Sequence, residues 1–118
     1  MAKDNIIKDK SFAFASRVVS LYNYLRDERK EFALSKQLVR SGTAIAALIR
    51  EAEHAESKSD FIHKVSIALK EANETDLWID LLKHGKYISE KEYLSLKPEI
   101  EEINKILIAI KKSSKANN

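Results

Sequence analysis

A chain of 118 residues with 44% hydrophobic and 33% charged side chains suits one domain with a real core and a well-solvated surface. It has no cysteine, which excludes disulfides and thiolate metal sites, and only 2 Gly and 1 Pro, which leaves few turns and favours a few long helices. A net charge of +3 and a pI near 9.0 are mildly basic, compatible with a nucleic-acid partner without requiring one.

The opening residues are too charged for a signal peptide, and no apolar run approaches the ~18 residues of a membrane span, so the expectation is a cytoplasmic protein with no membrane partner. The spacing predicts a first helix from about Ser11 to Asp27, after a frayed segment over 1–8. Its expected buried stripe is Phe12, Ala15, Val18, Val19, Tyr22 and Leu25. Arg26 to Glu31 reads as a charged connection. A second helix starts at Leu34 or Ser35 and runs to about Glu56, with Leu34, Leu38, Ile45, Ile49 and Ala52 on a narrow apolar face. Ser41 and Gly42 flank that face with almost no side chain. A helical Gly costs roughly 1 kcal/mol against Ala, so Gly42 is expected at a close helix–helix contact.

Ser57-Lys-Ser-Asp60 resembles a capping box, with Asp where Glu or Gln is usual, and opens a third helix reaching about Lys83. Phe61, Val65, Ala68, Leu69, Ala72 and Ile79 share one face of it. His84-Gly85 supplies the stop, with Gly85 expected in a left-handed cap. Ser89-Glu-Lys-Glu92 is a full capping box and opens a fourth helix. Pro98 is expected to kink or break that helix, and Ile100, Ile103, Ile106, Leu107 and Ile110 continue the stripe. Residues 111–118 read as a frayed polar tail. Four amphipathic helices with short connections make an all-α fold, an up-down-up-down antiparallel four-helix bundle, in a single domain over 1–118.

The third helix is apolar on a second side as well. Ile67, Leu77, Trp78 and Leu81 lie away from its main face, beside Glu71 and Glu74. The second helix has a matching shoulder in Ala44, Leu48 and Ala55. A small bundle needs one buried stripe per helix, so the surplus suggests self-association through Ala44, Leu48, Ile67, Glu71, Glu74, Trp78 and Leu81. The competing reading has Trp78 and Leu81 covering a bundle edge within one chain.

Candidate chemistry is sparse. Glu51-Ala-Glu-His54 has the Glu-x-x-His spacing of di-iron bundles, but no second such motif exists, so no metal site is expected. His63 and His84 read as solvated helix-end residues, and Ser41 has no His or Lys in register to activate it. Glu71 and Glu74 stand one turn apart, and pairing with Arg40 or Lys70, within the chain or across a subunit contact, fits them better than acid–base work. Lys36, Arg40 and Arg50 project from the polar side of the second helix as candidate phosphate contacts, or as an ordinary solvated face. No catalytic residue and no cofactor is expected.

Three segments carry a resemblance. They are Gln37-Leu38-x-Arg40-Ser41-Gly42-Thr43-x-Ile45 followed by Glu51-Ala52, then Ser59-Asp60-Phe61-Ile62-x-Lys64, then Ala68-Leu69-Lys70-Glu71-Ala72-x-Glu74-Thr75-x-x-Trp78. In this order they resemble the four-helix-bundle proteins of the 23S rRNA intervening-sequence family, from about Phe12 to Leu82. The chain departs from that pattern where it has Ala44 for a common Ser and Leu48 for a common Asn. The resemblance implies a bundle that assembles as a ring, typically a homopentamer, with no enzymatic activity. Some members are encoded in insertions within large-subunit rRNA genes. A similar bundle serves as the accessory protein of diversity-generating retroelements, a basic ring that binds nucleic acid and a reverse transcriptase. Two readings follow. One is a non-enzymatic oligomer that binds RNA or a nucleic-acid-processing protein through basic surface. The other is a protein-interaction scaffold without nucleic-acid affinity.

Overall fold

A computed structural model describes residues 2–116, with side chains described from Ile6 onward. Among the described residues there are four helices and no strand: α1 (Ala2–Asp27), α2 (Leu34–Glu53), α3 (Lys58–His84) and α4 (Glu90–Ala116). Short connections force each helix to run antiparallel to the one before it. Contacts run α1–α2, α2–α3 and α3–α4, and a thinner α1–α4 contact closes the bundle into a rod of 48 × 22 × 19 Å. None of the described helices is long and apolar enough to cross a membrane.

The core is a set of seams. In α1 the buried positions are Ile7, Ser11, Phe14, Val18, Leu21 and Leu25. Steps alternating between four and three residues keep one stripe facing the neighbouring helices. Phe12 and Val19, expected inside, are instead exposed, and Tyr22 is only half-buried. They sit beside the stripe, and the true seam is masked in hydropathy by Ser11. That hydroxyl is buried and donates to the Lys8 carbonyl at 3.1 Å. Helix α1 also starts well before Ser11. Ile7 is buried, Lys8 pairs with Glu53 at 3.0 Å and Lys10 pairs with Glu102 at 3.0 Å, which anchors the extra turns. Helix α4 likewise continues to Ala116 where a polar tail was expected. The parts of both expected frays that fall on residues 1, 117 and 118 lie outside the described residues.

Helix ends follow from side-chain chemistry. At α4 the box is complete: the Ser89 hydroxyl accepts from the Glu92 N–H at 3.1 Å, and the Glu92 carboxylate accepts from the Ser89 N–H at 2.9 Å. At α3 the Ser57 hydroxyl accepts from the Asp60 N–H at 3.0 Å, but the Asp60 carboxylate takes the Glu56 N–H at 3.2 Å rather than that of the cap. Helix α2 ends at Glu53, three residues before the expected Glu56, with His54 as its C-cap. Gly85 is not left-handed: its φ is −77°, and Lys86 takes the left-handed turn at φ 64°. The N–H groups of Lys86 and Tyr87 bond the carbonyls of Lys83 and Leu82 at 3.0 and 2.9 Å, the paired pattern of a Schellman end. Gly85 instead leaves room for Tyr87, whose ring would stand 3.1 Å from an added Cβ. Pro98 does not break α4. Pro98 and Leu94, whose carbonyl loses its amide partner, both lie on the exposed side of the helix, where the lost bond costs least.

Glu31 caps α2. Its buried carboxylate accepts from the N–H groups of Ala33, Leu34 and Ser35 at 3.2, 3.0 and 2.7 Å, and the Ser35 hydroxyl donates to the Glu31 carbonyl at 2.7 Å. Burial alone would raise this pKa, but the three amides outweigh it and hold the carboxyl below its ordinary value.

Two outcomes are expected. An ideal Cβ on Gly42 would stand 2.9 Å from the Val18 side chain, which is fully buried and too short to swing away. Gly42→Leu therefore costs about 1–3 kcal/mol in urea unfolding, and Val18→Ala in the same chain recovers part of that loss. The Glu31 cap stabilises the fold fully above the unfolded carboxyl pKa of about 4.3, and this contribution disappears as pH falls through the lower folded value. Glu31→Gln removes about 1–2 kcal/mol at neutral pH and flattens that part of the acid unfolding profile.

Candidate assembly and nucleic-acid surfaces

Helices α2 and α3 meet along a seam built in two layers. Inside it, Ser41 and Thr75 are buried with their hydroxyl oxygens 2.8 Å apart, and the Thr75 hydroxyl is also 2.8 Å from the Glu71 carbonyl. Each hydroxyl has one proton, so both contacts are served when Ser41 donates to Thr75 and Thr75 donates to the carbonyl. Above this pair, the Arg40 guanidinium spans Glu71 at 3.2 Å and Glu74 at 2.8 Å. The Glu71 hydrogen bond raises the Arg40 pKa further, against a smaller cost of desolvation, so the guanidinium stays charged. Lys64 and Glu51 cross the same seam at 3.0 Å, near its other end.

The residues expected to mediate assembly flank this seam. Arg40, Ala44, Leu48 and Glu51 share one flank of α2 by their spacing, and Ile67, Glu71, Glu74 and Trp78 share the facing flank of α3. Ala44, Leu48, Ile67 and Trp78 are half-buried, and Leu81 is exposed. Trp78 packs against the core, yet its indole N–H is buried with no acceptor. Glu71 and Glu74 already hold Arg40 of the same chain, so this pairing forms without a second subunit.

The three expected phosphate contacts do not form one patch. Arg40 reaches toward α3, whereas Arg50 leans over the Phe12 ring of α1 with 5.7 Å to its centroid. Arg50 and Lys36 are exposed and have no carboxylate partner among the described residues. On the α3–α4 side, Lys97 bridges Asp76 at 2.5 Å and Asp80 at 2.9 Å, and the Tyr93 hydroxyl donates to Asp80 at 2.8 Å. Burial opposes the Lys97 charge, but the two carboxylates outweigh it and raise its pKa. Sequence reasoning missed two further features. One is a set of exposed apolar side chains: Phe12 and Val19, which the spacing placed in the core, and Leu94 and Ile108, which it did not place. The other is the bundle end that carries Phe32, exposed at 60%, among lysines.

The model of the family described as 23S rRNA-intervening sequence protein matches residues 3–109. The chain belongs to that family. The match extends into α4, beyond the Phe12–Leu82 span of the motifs. The chain is also similar to the crystal structure of a protein with unknown function from the S23 ribosomal protein family of Bacteroides thetaiotaomicron VPI-5482. That structure is 56% identical, covers 93% of this chain and 98% of its own, and superposes with a TM-score of 0.92. No curated protein matches the chain.

In this member of the 23S rRNA-intervening sequence family, the motif residues Arg40, Ser41, Glu71, Glu74 and Thr75 meet one another across the α2–α3 seam. The motif is first of all a structural clasp. Thr75→Val keeps the volume but removes the hydroxyl that accepts from Ser41 and donates to the Glu71 carbonyl, and is expected to cost about 1 kcal/mol by thermal unfolding. Arg40→Ala, at an exposed pair, is expected to cost less than about 1 kcal/mol.

Proposed function

We propose that this chain is a non-enzymatic, homo-oligomeric bundle that binds RNA, or a nucleoprotein partner, through basic surface. The supporting observation is how its charges are spent. Carboxylates of the helix seams are tied to Lys8, Lys10, Arg17, Arg40, Lys64 and Lys97. Lys30, Lys36, Arg50, Lys86, Lys91, Lys105 and Lys112 are exposed without a carboxylate partner among the described residues. The positive surplus is therefore offered outward, where phosphates are met. Assembly is supported by the exposed Phe12, Leu77, Leu81 and Ile108, and the pentameric ring by family resemblance. The same apolar groups favour the second reading, a protein-interaction scaffold.

Light scattering at micromolar concentration is expected to give a homo-oligomer, and a monomer removes the assembly reading. Filter binding is expected to give weak RNA affinity that falls steeply with salt, as released counterions require. Arg50→Ala should weaken it, whereas Arg40→Ala should leave it nearly unchanged because Arg40 is already engaged. An oligomer with no RNA affinity even at low ionic strength leaves the scaffold reading in place.

A further inference from the structure

The α1–α2 and α3–α4 connections lie together at one end of the bundle, and Arg29 ties them. Its guanidinium donates to the Tyr87 carbonyl at 2.7 Å and the Lys86 carbonyl at 3.1 Å, and stands 5.2 Å from the Tyr87 ring centroid. Each connection has one left-handed residue, Lys30 at φ 53° and Lys86 at φ 64°. Between the buried Glu31 and the bonded Ala33 amide sits Phe32, 60% exposed. Its backbone is held on both sides while its ring packs into nothing that would repay its exposure.

A cleft of about 450 Å³ opens at the same end of the bundle; Arg29, Lys83 and Lys86 line it together with Glu90 and Glu92, and Phe32 is not part of its wall. Those two acids are already engaged, Glu90 by Lys83 at 3.1 Å and Glu92 by the Ser89 N–H. Lys30, Lys36, Lys86 and Lys91 surround the same end and have no carboxylate partner among the described residues. An exposed aromatic ring on a held backbone, near exposed lysines, matches the chemistry of an unpaired nucleotide: the ring offers a face for the base, the lysines a place for the phosphate, with Asp27 and Glu28 the acids of the same turn.

We propose that this loop end binds single-stranded RNA, with a base stacked on Phe32 and the adjoining phosphates held by Lys30 and Lys86. The proposal rests on the RNA-binding reading above and adds where and in what form RNA is taken. A duplex is disfavoured because its bases are already stacked and offer no free face to the ring.

The test is fluorescence anisotropy on the full chain with a labelled single-stranded RNA of about ten nucleotides and the matching duplex. The single strand should bind more tightly. Phe32→Ala should weaken it about tenfold with an unchanged salt slope, since stacking releases no counterions. Lys86→Gln should weaken it and reduce the salt slope by about 0.7, the value for one phosphate of a single strand. Both side chains are exposed, and circular dichroism verifies that the variants stay folded. Equal affinity for the duplex, or a Phe32→Ala chain that binds like wild type, overturns the proposal while RNA binding elsewhere on the surface stands. Failure of the wild type to bind either RNA at low salt overturns the proposal and the reading beneath it together.

Discussion

The constraint on which the rest depends is the close, polar contact between α2 and α3. Small residues let the two helices approach, and a buried hydroxyl pair must then be satisfied inside the contact. Ser41 and Thr75 do this with two protons and one backbone carbonyl. Arg40 closes the contact from outside by spanning Glu71 and Glu74. A polar seam of this kind adds little net stability, but it fixes register, because sliding α2 by one turn against α3 would strand the hydroxyls and the guanidinium together. Gly42, one residue on, turns toward α1 and lets Val18 in. Neighbouring positions of a single turn therefore set two helix–helix distances at once.

Much of this is legible in the sequence, and what is not has identifiable causes. The scarcity of Gly and Pro, the two capping boxes and the apolar periodicities specify four helices and their order. Gly42 at a tight contact follows from the cost of a helical glycine. The α1 register was hidden because a seam position is filled by Ser11, while Phe12 and Val19 supply hydrophobicity one step away from it. The left-handed residue after α3 was misplaced because Gly85 is retained for the space beneath Tyr87, and the adjacent Lys86 accepts the backbone strain. The Glu31 cap was not foreseen because it lies in a charged run that reads as a solvated connection. At the surface, Ala44, Leu48, Ile67 and Trp78 are all half-buried. The sequence offered Arg40 both as a phosphate contact and as a partner of Glu71 and Glu74, and only the helix packing decides between them, because which way a long side chain leans depends on the neighbour it meets.

The distribution of charge links fold to surface chemistry. Nearly equal numbers of acids and bases, 18 against 21, would ordinarily give a patchwork with no directional field. Here the acids of the seams are committed to ion pairs that hold helix to helix, and a smaller number serve as caps. The bases that remain lie on outer faces and at the ends of the rod. A modest surplus is thus exposed without a strongly basic composition, and without the self-repulsion that such a composition carries.

The thin α1–α4 contact has a consequence of its own. Its outer edge is crossed by Arg17 with Glu99 and Ser95 and by Lys10 with Glu102, all partly exposed. Exposed ion pairs are screened by electrolyte, whereas apolar burial is not. The α1–α4 edge is therefore the side of the bundle whose cross-links electrolyte weakens most directly, while the core beneath it is left untouched. Salt thus acts on this molecule unevenly, loosening one lateral edge and sparing the apolar seams.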